Sequence, residues 1–327
     1  MDIATLQSTT RALFTRGKGI YAADVTTSSL KKRLVDLQIL YYEGISLDYR
    51  LVLFSTPEIE RYLSGIILYD ETIRSRTKEG VSVPEFLTNR GIIPGIKLDQ
   101  GTKEFTPFSK EKITEGLDGL SERLAEYKAM DARFAKWRAV ITIGNGIPTR
   151  ECIEANAQTL AKYALVCQEQ DIVPIVEPEV LMEGDHDIKV CEEVTIQTLT
   201  SVFEYLKEFN VSLEGLILKT NMVLPGKGFP GQITSEEVAR ETVDMLTRVV
   251  PHEVAGIVFL SGGQTPQGAI GNLKAIARIP NKPWPITFSF ERAIEMDAIK
   301  TWAGKDENIT DAQKVFLERV KKVSEAL

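Results

Sequence analysis

The chain has 327 residues, 43% of them apolar and 26% charged, a balance that supports an ordinary folded globule with a sizeable core and excludes disorder as its dominant state. Its net charge of −7 argues against a general nucleic-acid or anionic-membrane partner, since both need a basic face. A small anionic ligand stays compatible if lysines and arginines converge locally, and Cys152, Cys167 and Cys191, with no CxxC spacing, read as buried free thiols of a reducing, cytoplasmic compartment.

Residues 1–19 contain Arg11 and Arg16 but no apolar centre of signal-peptide length, and nowhere does the chain approach the roughly 20 apolar residues of a membrane span. They read as a leading helix. Short β-prone runs that close on a polar or glycine-rich turn then follow at 19–24, 65–70, 91–99, 138–144, 173–178, 216–219, 256–262 and 286–290. Helical spacing fills the intervals. Leu117, Leu120, Leu124 and Tyr127 form one apolar stripe, and Ile153, Ala157, Leu160 and Ala164 form another. Val194, Leu199, Val202, Phe203 and Leu206 form a third, with Asn210 as its stop, and Thr234 with Glu237 has the spacing of a capping box ahead of the next helix.

Strands that alternate with helices pair in parallel, because parallel neighbours need a crossover. Eight such units close an α/β barrel of the (β/α)8 (TIM) type, a single domain over residues 1–327 with its leading N-terminal helix. An open doubly wound sheet fits less well. It more often has five or six strands and a glycine-rich turn after the first, whereas Gly17-Lys18-Gly19 precedes the first run.

The run 216–219 ends on Lys219, an amine where an apolar strand has no structural need of one. Residues i and i+2 of a strand share a face, and three successive segments carry charged pairs at that spacing: Lys97 with Asp99, Lys136 with Arg138, and Glu177 with Glu179. With Asp24 closing the first run, a barrel would gather carboxylates and lysines round one pocket at the C-terminal ends of its strands. A lone charge at a strand end is usually a solvated rim residue, but several strand ends behaving alike weaken that reading. Lys136 is the exception. It precedes its apolar run, so pattern alone makes it a surface lysine.

A free lysine with a pKa of about 10.4 is neutral in about one molecule in 2,500 at pH 7, so a nucleophilic lysine needs burial and neighbouring cations to bring it to roughly 7 to 8. Lys136 and Arg138 are the neighbours expected to do this. A neutral amine among carboxylates points to Schiff-base chemistry with a carbonyl substrate. Ser261-Gly262-Gly263 after the seventh run and Arg292 after the eighth stand where barrels commonly hold phosphate. The alternative to phosphate is a flexible turn and a surface arginine. A metal mechanism finds little support, because His186 and His252 are far apart and Gly184-Asp185-His186-Asp187 lacks further ligands, reading as a capping turn. No metal and no cofactor are expected.

Seven collinear stretches, 17–24, 116–123, 134–138, 175–179, 184–187, 218–222 and 259–264, closely resemble class I fructose-1,6-bisphosphate aldolase. The resemblance implies a (β/α)8 barrel, usually a homotetramer, that reversibly cleaves fructose 1,6-bisphosphate to dihydroxyacetone phosphate and glyceraldehyde 3-phosphate in glycolysis without metal. It also implies roles: Lys219 as the Schiff-base lysine, Glu177 as the acid and base that dehydrates the carbinolamine, Glu179 as the neighbour that poises the lysine, Asp24 as the group that takes the C4 hydroxyl proton, and Lys136 as an assisting lysine. Ser261, Gly262, Gly263 and Arg292 match one phosphate site, and Ser29, Lys32, Arg33, Lys97 and Arg138 resemble the other end.

Three departures accompany the match. Phe290-Glu291-Arg292 replaces a triplet that commonly has glycine at its centre, which sets a carboxylate beside a phosphate site. Val25 stands where many relatives carry glutamate. Animal members finish on a tyrosine that assists proton exchange on the enamine, whereas the last tyrosine here is Tyr205, so either another group does that step or the step is slower. The rival readings are another lysine-dependent barrel aldolase or transaldolase on a related sugar phosphate, and a non-catalytic sugar-phosphate or protein-binding scaffold. A scaffold has no use for Asp24, Lys136, Glu177 and Lys219 together.

Overall fold

The structure, a computed structural model, describes residues 1–327 apart from the side chain of Ser109. The chain begins with α1 (Ile3–Leu13), β1 (Gly19–Ala22), α2 (Thr27–Asp36), α3 (Ile45–Phe54), β2 (Leu63–Leu68), α4 (Asp70–Ile73), α5 (Val83–Thr88) and β3 (Ile93–Lys97). A hairpin of β4 (Thr102–Phe105) and β5 (Phe108–Thr114) follows, and then α6 (Leu120–Ala129), β6 (Phe134–Ile141), α7 (Arg150–Glu169), β7 (Val173–Val180) and α8 (Ile188–Glu208). The chain ends with β8 (Ile217–Thr220), α9 (Ser235–Val249), β9 (Gly256–Phe259), α10 (Pro266–Arg278), β10 (Ile286–Phe290), α11 (Arg292–Trp302) and α12 (Ile309–Ser324). All strands except the hairpin close into a parallel barrel, with β1 between β10 and β2 and with β6 next to β3. The expected (β/α)8 architecture is therefore present.

Strands covered on both faces read as almost continuous apolar runs, and here the two faces feed separate cores. Ile20 and Ala22 of β1, Ile67 of β2, Phe134 of β6, Val173 and Ile175 of β7, Ile217 of β8 and Val258 of β9 fill the barrel interior. Tyr21, Ile66, Ala135, Trp137, Val176, Leu218 and Ile257 face the helices. Alternation then fixes what comes next on the inner face. Ile20 and Ala22 lead to Asp24, Phe134 leads to Lys136 and Arg138, Ile175 leads to Glu177 and Glu179, and Ile217 leads to Lys219. Apolar layers fill the N-terminal end and charges emerge at the C-terminal end.

The leading helix plugs the apolar end: Leu6 and Leu13 of α1 belong to the interior cluster, with Phe14 against it. The stripes on α7 and α8 bury as their spacing predicts, and so do Leu120, Leu124 and Tyr127 on α6, while Leu117 lies before that helix and is half-buried. Thr234 and Glu237 form a capping box at the start of α9, and Asp187 caps α8 by accepting the Val190 N–H at 2.9 Å, which makes 184–187 the capping turn that its sequence implies. The cysteines are free and buried.

Two expectations change. The strand expected from Arg138 starts at Phe134, so Lys136 lies within a strand and is buried. The β4–β5 hairpin, largely exposed along β4, has no apolar alternation by which to find it.

Phe134 leaves no room for a side chain at its neighbours. A Cβ on Gly95 of β3 would run into the Phe134 ring. Gly95→Ala is expected to destabilise the barrel by about 1–3 kcal/mol through overpacking, measured as a shift of the urea midpoint. An unchanged midpoint would mean that the ring turns aside freely.

Candidate active site

The inner-face charges meet in one cavity of about 300 Å³ at the C-terminal ends of the strands. Asp24, Lys97, Lys136, Arg138, Glu177, Glu179 and Lys219 line it, together with Ser261 and Gly262 after β9 and Arg292 after β10. Ser29 and Arg33 reach it from α2. Lys32, exposed on the same helix, and Gly263 do not line it, so those two expected contacts are not brought to the site. Thr26, Ser289 and Glu291 line it although sequence reasoning does not place them among the ligand contacts. Ser289 is the most informative addition. It is 1% exposed and its Oγ has no hydrogen-bond partner among the described residues, although only its position two residues before Glu291 and three before Arg292 marks it in the sequence.

At the centre, Lys136 Nζ lies 2.6 Å from Asp24 Oδ2 and 3.2 Å from Glu177 Oε2. Lys219 Nζ lies 3.0 Å from the other Glu177 oxygen, Oε1. All four side chains are buried. Glu177 Oε2 has no hydrogen-bond partner of good geometry and so keeps a lone pair free. Towards the rim, Arg138 Nε donates to Glu179 Oε2 at 2.5 Å, Lys97 pairs with Asp99 at 2.5 Å, and the Arg138 backbone N–H donates to the other Asp99 oxygen at 3.2 Å.

Of the two cations expected beside Lys219, Lys136 shares Glu177 with it. Lys136 also pairs with Asp24, Arg138 pairs with Glu179, and Lys219 pairs with Glu177. Arg33, grouped by resemblance with Lys97 and Arg138, lines the cavity with them and is tied to the start of α11 through Glu291 at 2.5 Å and through Glu295.

The chain matches the family described as fructose-bisphosphate aldolase class-I over residues 5–327. It is 50% identical over 323 residues to a probable fructose-bisphosphate aldolase class 1 of Xanthomonas campestris pv. campestris, covering 98% of this chain and 96% of that one. The chain belongs to the class-I fructose-bisphosphate aldolase family. As a member it is an aldehyde-lyase. A cytosolic fructose-bisphosphate aldolase 4 of Arabidopsis thaliana is 45% identical over 95% of this chain and 80% of its own. Among solved structures, fructose-bisphosphate aldolase from Plasmodium falciparum, in a ternary complex with TRAP and a small-molecule inhibitor, superposes with a TM-score of 0.97 at 42% identity, covering 99% of this chain and 94% of that one. No helix here is long and apolar enough to cross a membrane.

Electrostatics set the resting charges of this class-I aldolase site. Burial works to raise the carboxyl pKa values of Glu177 and Asp24, and the lysines beside them, Lys136 first and then Lys219, outweigh it and hold both below their ordinary values. Burial likewise works against the charge of Lys136, and Asp24 and Glu177 outweigh it, so its pKa is raised. The centre is a mutually dependent ion cluster. Six basic side chains line the cavity against four carboxylates, which makes the mouth cationic on an acidic protein and suits it to anions.

A carboxyl with a depressed folded pKa contributes stability that is present above its unfolded value and is lost as pH falls through the folded one. For Glu177 and Asp24 that loss begins near their ordinary values of 4.5 and 3.8 and continues below them. Lys136→Met leaves two carboxylates facing each other without their cation, and we expect a loss of about 3–5 kcal/mol at about pH 7. The difference from the unaltered protein shrinks at about pH 4, where the carboxyls take up protons. Urea titrations at both pH values check this, and a difference that grows on acidification would contradict it.

Proposed function

We propose that this chain cleaves fructose 1,6-bisphosphate reversibly to dihydroxyacetone phosphate and glyceraldehyde 3-phosphate through a Schiff base on Lys219. The observation that supports it is the contact of Lys219 Nζ with Glu177 Oε1 at 3.0 Å, next to a free lone pair on Glu177 Oε2. A proton passing from the Lys219 ammonium to Glu177 would leave a neutral amine and a carboxylic acid, the two species that imine formation needs. The amine attacks the C2 carbonyl of the open-chain sugar to give a carbinolamine. Glu177 then gives its proton to the departing hydroxyl, water leaves, and a protonated imine forms on Lys219.

The imine is an electron sink. Asp24 takes the proton of the C4 hydroxyl, the C3–C4 bond breaks, its electrons pass into the imine to make an enamine, and the aldehyde phosphate departs. Protonation of the enamine carbon and hydrolysis of the imine release the ketone phosphate. Lys136 holds Asp24 and Glu177 as carboxylates between turnovers, and Glu179 fixes Arg138 at the rim beside Gly262. A side chain at position 262 would meet Leu260 and Glu179 Oε1, so glycine keeps that backbone open to a ligand.

For the phosphates, the reading uses Ser261, Gly262, Ser289 and Arg292 at one end. The backbone adds to it. Glu291 makes no side-chain cap to α11, which leaves first-turn amides of that helix for an anion. Ser29, Lys97 and Arg138 serve the other end, with Arg33 between the two. We further propose that residues 1–327 act as one domain, that the protein works in the cytoplasm, and that it assembles as a homotetramer, which light scattering tests directly.

Treating the protein with dihydroxyacetone phosphate and borohydride is expected to leave a stable adduct that peptide mass spectrometry maps to Lys219. An adduct elsewhere, or none, sinks the mechanism. Activity on fructose 1,6-bisphosphate is expected to survive EDTA unchanged, and a chelator-sensitive loss would point to a metal-assisted route instead. Faster turnover of fructose 1-phosphate than of the bisphosphate would favour the related monophosphate aldolase.

A further inference from the structure

One carboxylate in the cavity has no part in this chemistry. Glu291 begins α11 without capping it, and its carboxylate lies 2.5 Å from Arg33 Nη2 at the cavity wall. The other terminal nitrogen of Arg33, Nη1, donates to Glu295, which is 0% exposed and also accepts from the Tyr21 hydroxyl. The two partners of one guanidinium are therefore unlike. Glu295 is enclosed by the packed helices, whereas the Glu291 side chain is 30% exposed.

We propose that Glu291 is a built-in competitor for phosphate: it occupies the cavity-facing edge of Arg33 in the empty site and yields it to a phosphate monoester, which makes Glu291 a specificity-determining residue. The ligand's identity as a sugar phosphate rests on the aldolase reading. Arginine presents five N–H donors in a planar fork, so the anchored Nη1 can stay on Glu295 while the Nη2 edge changes partner. A phosphate monoester carries a charge between about −1.5 and −2 at about pH 7 and three acceptor oxygens, against the single charge of a carboxylate. It can win the exchange where a neutral hydroxyl or another carboxylate cannot.

The displaced Glu291 has an exit, because it already touches solvent. Arg292, the next residue, is exposed, lines the same cavity and has no ion pair among the described residues, so the arriving phosphate meets a second cation. The cost of displacing Glu291 is the same for every anion that needs this edge of Arg33, so only a ligand whose own contacts exceed that cost takes its place.

The test compares the unaltered protein with Glu291→Gln and Glu291→Ala. Inorganic phosphate is titrated calorimetrically into each, and steady-state rates are measured on fructose 1,6-bisphosphate. Removing the competitor is expected to tighten phosphate binding and to lower KM by about three- to tenfold, with kcat within about twofold. The gain should vanish in an Arg33→Gln background, which ties it to this guanidinium. Thermal melts confirm folding, and if the alanine variant fails to fold the glutamine variant decides alone. Phosphate binding that is unchanged or weakened overturns the proposal, as does a gain that persists without Arg33. If the unaltered protein fails to cleave the bisphosphate, the functional reading fails, while the phosphate titration still decides the role of Glu291.

Discussion

Everything at the centre of this molecule depends on one buried ammonium, that of Lys136, held between Asp24 and Glu177. Each of the three is costly to bury alone, because a charge loses its hydration inside a protein. Together they are tolerable, and each fixes the protonation state of the others. Lys136 also ties β6 and β7 to the end of β1, a strand that neither of them neighbours in the barrel. With it in place, Glu177 is an anion with one oxygen beside Lys136 and the other beside Lys219.

The barrel explains why such a cluster forms here and nowhere else along the strands. Inner-face positions alternate strictly, so a strand that must bury an apolar layer near its start can carry charges two and four residues later without changing face. β6 does this in three steps, Phe134, Lys136 and Arg138, and β7 does it with Ile175, Glu177 and Glu179. Parallel register sets Lys136 opposite Ile175 and Arg138 opposite Glu177, so Lys136 and Glu177 are staggered by one inner-face step on neighbouring strands. Staggering lets one lysine touch carboxylates on two different strands.

The alternation of strands and helices, the capping box and the eight barrel runs are legible in the sequence because each rests on local periodicity. Lys136 is not, since a charge inside a strand breaks the apolar run that marks the strand, and the visible run begins after it. Pattern alone puts this lysine on the surface, and only the resemblance sets it in the site. Glu295 is also hidden, looking like one more polar residue on a surface helix, although its partners Arg33 and Tyr21 lie 262 and 274 residues away in the chain. Lys32 lies off the cavity lining for a simpler reason. Its neighbour Arg33 occupies the face of α2 that meets the barrel, and one residue along a helix turns a side chain by about 100°.

The rim and the centre use ion pairs in different ways. At the centre, the Lys136 and Asp24 side chains are 5% and 6% exposed, and neither has solvent in which to leave its partner. At the rim, Arg33 and Arg138 sit on carboxylates at a boundary with water, where on the proposed function an arriving phosphate would change their partners rather than create a new charge. On the proposed function, a highly charged substrate would exchange partners at the rim and leave the Lys136–Asp24 pair in place. The exchange at the rim costs little because the cation is already desolvated and oriented, and only one carboxylate must return to water. On the proposed function, separation of a replaceable outer layer of charge from a fixed inner one would let one cavity bind dianionic ends while the Lys136, Asp24 and Glu177 cluster keeps its pairing.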